Sequence, residues 1–311
     1  MNSDIPDRVI KWIRDRMFAH RLLLKKVGVI ASLVTLIVGN SQALSQEIRF
    51  APLPLEDSRI MHEQFHGLVH YLSRESQQRI EMVFYTDYGE ILQRFKHNKI
   101  DLAYLGPLPF ALLSEAFDSA EPIGCFREPD GKANYSCSLV TYGENNIDLN
   151  QLGKVQIGLT QPYSTCGYLA VSQMLEAVGR RLDEPDINFI YAGSHSKAAL
   201  GAVRGKYDLA GVKTSIARRY QHLNLQVLST SRSFPGMVLV ANSQTLSSET
   251  IDRLRDALLK LDPQHTPQNS AMMQNWGGSL KNGVVPSDQC SFNNVHQELE
   301  RMPRPIPGTE N

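Results

Sequence analysis

Between residues 48 and 261 the chain alternates short apolar runs with amphipathic ones, and this alternation restricts the fold more than any other feature. Strands are expected at 48–51, 80–85, 101–105, 155–159, 187–191 and 208–212. Helices are expected at 57–74, 88–97, 107–117, 168–178, 196–204 and 214–221. Such an order predicts an α/β fold of parallel-dominated sheets with helices on both faces. Two further strands, 225–228 and 237–241, bring the chain back before a helix at 248–261. The Gly/Pro/Asn-rich stretch from Trp276 to Cys290 reads as loop, followed by one more helix near 292–302.

The first 45 residues read as an export signal with a long n-region. Positive charge from Arg21 to Lys26 precedes the uncharged, mostly apolar run Val27–Val38, and Ala43 and Ser45 are small residues at −3 and −1 if cleavage precedes Gln46. The apolar run is short of the ~20 residues a membrane span needs. Either Met1 or Met17 suits as the start, and no cysteine lies near the cleavage point to carry a lipid. With 32 basic against 32 acidic residues and no basic stripe with interleaved aromatics, a nucleic-acid partner is not expected.

All four cysteines, Cys125, Cys137, Cys166 and Cys290, lie in the exported part, which favours disulfides and leaves three pairings open. The turn-rich segment 127–134 reads as a hairpin loop that sets Cys125 opposite Cys137. That pairing leaves Cys166 for Cys290, a bond that would cross between lobes. The competing expectation keeps Cys166 reduced, as a thiol facing a ligand.

Ser164-Thr165-Cys166-Gly167-Tyr168 joins the strand 155–159 to an amphipathic helix. Two hydroxyls and a thiol then stand beside the first unbonded amides of a helix and the positive end of its dipole, which is an arrangement for holding an anion. The plainer alternative is an ordinary N-cap.

Asp87-Tyr88, Lys99-Ile-Asp-Leu-Ala-Tyr-Leu-Gly106, Tyr135-Ser136, Ser164–Tyr168, Ala192-Gly-Ser-His195 and Tyr207-Asp-Leu-Ala210 follow one another in a single order. In this the chain resembles the phosphonate/phosphite/phosphate-binding family of periplasmic solute receptors for ABC transporters. The resemblance implies a two-lobe periplasmic binding protein (type II-like) with a cleft between the lobes. Lobe 1 would take 46–143 and 232–311, and lobe 2 would take 144–231. It implies ligand contacts from Tyr88, Tyr135, Ser164, Thr165, Cys166, Gly167 and His195, with Lys213 and Ser215 as further candidates. Two carboxylates that receive the amino group in aminophosphonate-binding members are replaced here by Ser215 and Met237. A simple tetrahedral oxyanion (phosphate, phosphite or a phosphonate-like anion) is therefore expected, since a buried ammonium without a partner is costly. The expected protein is a monomer without cofactor or catalytic activity, serving a membrane permease or, alternatively, a sensor histidine kinase.

Two enzymatic readings compete. His62-Glu63-Gln-Phe-His66 matches the zinc-peptidase signature, with His70 on the same helix face. The apolar positions of that helix supply a core face, however, and no third ligand follows in a matching helix pattern, Glu81 and Glu90 being the remaining candidates, so no metal is expected. Cys166 at a helix start with His195 across a cleft would suit a thiolate nucleophile and its base, against which stands the even number of exported cysteines.

Overall fold

The computed structural model describes residues 47–302, so the expected signal segment lies outside the described residues. In chain order, β1 (Ile48–Pro52), β2 (Ile80–Met82), β3 (Leu102–Leu105) and β4 (Ala120–Phe126) belong to a first sheet. The chain then passes through β5 (Asn134–Tyr135) into β6 (Cys137–Tyr142), β7 (Val155–Leu159), β8 (Ile187–Tyr191), β9 (Leu209–Lys213) and β10 (Leu225–Thr230) of a second sheet. It returns through β11 (Phe234–Pro235), and β12 (Val238–Asn242) and β13 (Val284–Val285) complete the first.

The strand orders are β13-β4-β12-β3-β1-β2 and β10-β6-β9-β7-β8. Only one end of each sheet is parallel: β2, β1 and β3 in the first, β8, β7 and β9 in the second. The remaining pairings are antiparallel, so the sheets are mixed rather than parallel-dominated. The cause is the exchange of chain between lobes. β6 and β12 each enter a sheet from the other lobe and insert against the direction of the strands already there. β6 therefore belongs to the second lobe, and the outgoing crossover lies between β4 and β6 rather than at 143. The two crossover segments meet in a short antiparallel ribbon, Phe234 opposite Tyr135 and Pro235 opposite Asn134.

The same device sets the strand register in both lobes. Asp101, just before β3, takes the Arg49 amide of β1 at 2.7 Å, and Asp208, just before β9, takes the Gln156 amide of β7 at 2.7 Å. Each aspartate amide donates back to the same partner's carbonyl at 2.9 Å. Burial alone pushes the Asp101 carboxyl up, but side-chain and backbone hydrogen bonds from Arg49 outweigh it and hold the group below the usual carboxylate range. The two Asp-Leu-Ala sequences thus perform one job twice: a carboxylate pins the first strand of a βαβ unit to the strand beside it.

The helix Ser58–Ser76 is capped by Asp57 and buries Met61, Phe65, Leu68, Val69 and Leu72. That i, i+4, i+7, i+8, i+11 spacing is one helical face, and it packs beside the helix Ser248–Leu259, where the Tyr71 hydroxyl donates to the Ala257 carbonyl at 2.9 Å. His62, Glu63, His66 and His70 occupy the opposite, exposed face. A helix absent from the sequence expectation spans Pro267–Met273.

The disulfides are Cys125–Cys290 and Cys137–Cys166, with Cα separations of 6.5 and 5.1 Å. Both expected pairs, Cys125–Cys137 and Cys166–Cys290, are therefore incorrect. The hairpin between Cys125 and Cys137 does not form, because β4 lies between β12 and β13 in the first sheet while β6 lies between β10 and β9 in the second. Cys125 instead meets the C-terminal segment beside β13, and Cys137 meets the helix start that packs on β6. Each bond stays within one lobe, so neither restrains the movement of one lobe on the other.

Candidate functional site

A cavity of about 310 Å³ opens between the two sheets and collects residues from both lobes. Its polar wall is assembled from the starts of helices. Asp87 caps the helix Tyr88–Lys96 by accepting from the Glu90 amide at 2.8 Å, which leaves Tyr88 as the first helical residue. Ser194 caps His195–Val203 in the same way through the Lys197 amide, with His195 first. Ser164 caps a segment that begins with a π turn, Thr165–Leu169, and continues as Ala170–Glu176. The fourth start is Gly106 before Pro107–Ala116, with Pro107 in the first turn, where its missing N–H is not needed. Four positive helix ends therefore bear on one cavity.

Of the expected contacts, Tyr88, Tyr135, Ser164, Thr165, Cys166 and His195 line this cavity, as do Lys213, Ser215 and Met237. Gly167 does not line it. Its Cα packs so closely on Thr160 that a Cβ there would overlap the Thr160 amide and hydroxyl, and its own amide is taken by the Ser164 hydroxyl at 3.0 Å. Cys166 is a half-cystine, so it has no thiol to donate to a ligand or to serve as a nucleophile.

Tyr88 is the most telling member. The residue is 2% exposed and its hydroxyl has no hydrogen-bond partner among the described residues. Burial, reinforced by nearby Tyr135, pushes this phenol well above its ordinary pKa, so it is a donor and not an anion. Its backbone is held from the other lobe: the Tyr88 amide donates to Gln161 Oε1 at 2.9 Å, and Gln161 Nε2 donates to the carbonyls of Thr86 and Gly193, each at 2.9 Å. A second bridge runs from the Leu108 amide to the Thr165 hydroxyl at 3.0 Å, so a side chain of one lobe caps a helix of the other.

His195 is neutral. Burial, with the Lys213 charge close by, pushes the imidazole down to about 3. Its Nδ1 accepts the Lys213 amide at 3.2 Å, which puts the ring proton on Nε2 and makes that nitrogen a donor. Burial likewise pushes the Tyr135 phenol up, against the effect of a hydrogen bond with Thr165. The buried part of the wall thus offers neutral O–H and N–H donors and helix ends.

The buried formal charges of the site pair with one another, while Lys281 lines the cavity from an exposed position. Lys213 Nζ lies 2.6 Å from Glu128 Oε1 and 3.3 Å from the Ser279 hydroxyl. At the cavity edge Arg219 contacts Glu56 at 2.8 Å, and Ser196 donates to the same Glu56 oxygen. Sequence reasoning missed Glu128, Gln161, Glu56 and Ser279. Glu128 sits in a turn-forming Glu-Pro-Asp-Gly run that reads as solvated loop, and no local pattern marks Gln161. The zinc-peptidase reading gains no support: His62, Glu63 and His66 lie on the exposed face of their helix, and among the described residues no group of three His, Cys, Asp or Glu is placed to hold a metal.

Comparison with known proteins shows the family to which the chain belongs. Residues 50–290 match the family model described as "ABC transporter, phosphonate, periplasmic substrate-binding protein". The chain is 25% identical over 260 residues to the phosphate-import protein PhnD of Mycolicibacterium smegmatis, covering 76% of this chain and 81% of that one. It is 24% identical over 262 residues to the phosphonates-binding periplasmic protein of Escherichia coli, covering 79% and 75%. In fold it is similar to PhnD1 of Prochlorococcus marinus, solved in complex with methylphosphonate, with a TM-score of 0.71, 13% identity and coverage of 83% and 98%. It is also similar to a binding component of an ABC phosphonate transporter from Pseudomonas aeruginosa, with a TM-score of 0.69, 21% identity and coverage of 81% and 85%. With its two lobes and with most of its length matched, the chain belongs to the family of periplasmic substrate-binding proteins of phosphonate ABC transporters.

Proposed function

We propose that the chain captures a small tetrahedral oxyanion in the cleft between its lobes and delivers it to the permease of an ABC importer, without catalysing a reaction. The observation that carries this reading is the buried Tyr88 hydroxyl, which has no partner among the described residues and sits in a cavity lined by residues at the starts of four helices. A buried hydroxyl without an acceptor is unfavourable by about 1–3 kcal/mol, and an oxyanion oxygen supplies one. Ser164, Thr165, Tyr135 and neutral His195 complete a set of donors suited to several oxygens on one atom. A site that holds an anion by dipoles and neutral donors, with its buried formal charges already paired, avoids over-binding a cargo that has to be released.

The cavity is larger than a bare phosphate requires, and its other walls include Leu53, Leu55, Phe65, Pro109 and Met237. That favours a phosphonate bearing a short uncharged substituent, alongside phosphate and phosphite. Names of relatives support both classes, one being called a phosphate-import protein and another a phosphonates-binding protein. The protein works in the periplasm as a monomer, exported on residues 1–45 and cleaved before Gln46.

A thermal-shift panel tests the reading. Phosphate, phosphite and methylphosphonate should raise the melting temperature in a concentration-dependent way, since a ligand that binds only the folded state stabilises it by mass action. Amino acids and sugars should not. A panel in which no oxyanion shifts the transition contradicts the proposal.

A further inference from the structure

Within the cavity a second recognition site is already filled by the protein itself. Glu128 and Lys213 are both largely buried, with side chains 10% and 16% exposed. The Lys213 ammonium contacts the Glu128 carboxylate, shares the Ser279 hydroxyl and stands 4.6 Å from the centre of the Tyr135 ring. Ser279 donates to the same Glu128 oxygen at 2.6 Å. A carboxylate, an aromatic face and a hydroxyl around one point make a site for an ammonium ion. Here the ammonium is tethered to β9. The site adjoins the oxyanion end, because Tyr135 lies beneath the ammonium and also hydrogen-bonds with Thr165.

We infer that Lys213 occupies an ammonium subsite in place of a ligand's amino group and so sets the specificity of the cleft for phosphonates without one. This rests on the oxyanion reading above. A ligand ammonium entering the cavity has to displace Lys213 from Glu128 or remain buried beside a like charge, and both are unfavourable. Being tethered, the lysine competes at an effective concentration of about millimolar or more. Ser215 and Met237 offer no carboxylate, and the second carboxylate of the cavity, Glu56, is engaged by Arg219 and Ser196.

The test compares 2-aminoethylphosphonate with propylphosphonate, which has nearly the same shape with a methyl group for the ammonium. Both are titrated by calorimetry into the wild-type protein, Lys213→Met, Glu128→Gln and the double variant. Wild type should prefer propylphosphonate. Lys213→Met should shift the ratio of affinities toward the amino ligand by about tenfold or more, the usual effect of one hydrogen bond to a charged group. In the double variant that shift should disappear. Glu128→Gln alone, which leaves the lysine charge in place, should move the ratio further against the amino ligand, so the inference stays testable if Lys213→Met does not fold. Ratios unchanged in the single variants, with binding retained, overturn the inference and leave the oxyanion reading standing. A folded wild type that binds neither ligand overturns the oxyanion reading and this inference with it.

Discussion

Replacing Tyr88 by Phe should separate binding from stability. The Tyr88 hydroxyl is buried without a partner among the described residues, so deleting it removes a desolvated polar group and no protein hydrogen bond. An unsatisfied buried group is unfavourable by about 1–3 kcal/mol, and the variant should therefore be as stable as wild type or more so. For a chain of this size that corresponds to a melting temperature unchanged or raised by about 2–4 °C for each kcal/mol gained. Binding should move the other way. If the hydroxyl donates to an ionised oxygen of the ligand, its loss removes about 1.5–3 kcal/mol, or roughly tenfold to a hundredfold in affinity. Scanning calorimetry without ligand and titration with methylphosphonate read the two effects separately. A Tyr88→Phe protein that melts lower and binds normally would refute the reasoning, because the hydroxyl would then serve the fold and not the cargo.

Three other predictions concern the same lobes. His195 titrates near 3 when folded against about 6.5 when unfolded, so below pH 6.5 the unfolded chain takes up a proton that the folded chain refuses. Stability should be fully present above that pH and fall toward pH 3 at up to about 1.4 kcal/mol per unit, and urea titrations of His195→Asn should lack this part of the slope. Peptide mapping without reductant should recover Cys125–Cys290 and Cys137–Cys166 and neither alternative pair. Removing the second bond, which closes a separation of 29 residues, should destabilise the protein by about 3–4 kcal/mol on the chain-entropy account.

The strand and helix order and the helix start at Ser164 and Thr165 were legible in the sequence because they rest on local pattern: apolar periodicity for the elements, and a run of small polar residues between strand and helix for the site. Tyr88, Tyr135 and His195 came from the family resemblance. Whatever depended on which distant segments become neighbours was not legible. Cys125 and Cys137 sit on either side of an apparent turn, yet the chain uses that turn to change sheets, and strand adjacency rather than sequence proximity decides the disulfides. The partner of Lys213 is 85 residues away in the other lobe, so neither its pairing nor its burial has a local signal. Gly167 falls inside the anion-binding motif but answers to packing on Thr160. The helix Pro267–Met273 carries a proline start and a single buried residue, Met273, too little apolar periodicity to stand out from loop.

The central claim is that one anion is held jointly by donors from both lobes. A crystal structure grown with methylphosphonate tests it most directly. The account predicts phosphonate oxygens within hydrogen-bonding distance of the Tyr88 hydroxyl, the Ser164–Thr165 helix start and His195 Nε2, with the Lys213–Glu128 pair intact beside the methyl group. A phosphonate bound outside this cavity, or bound within it while Tyr88 and His195 contact only protein, would contradict it.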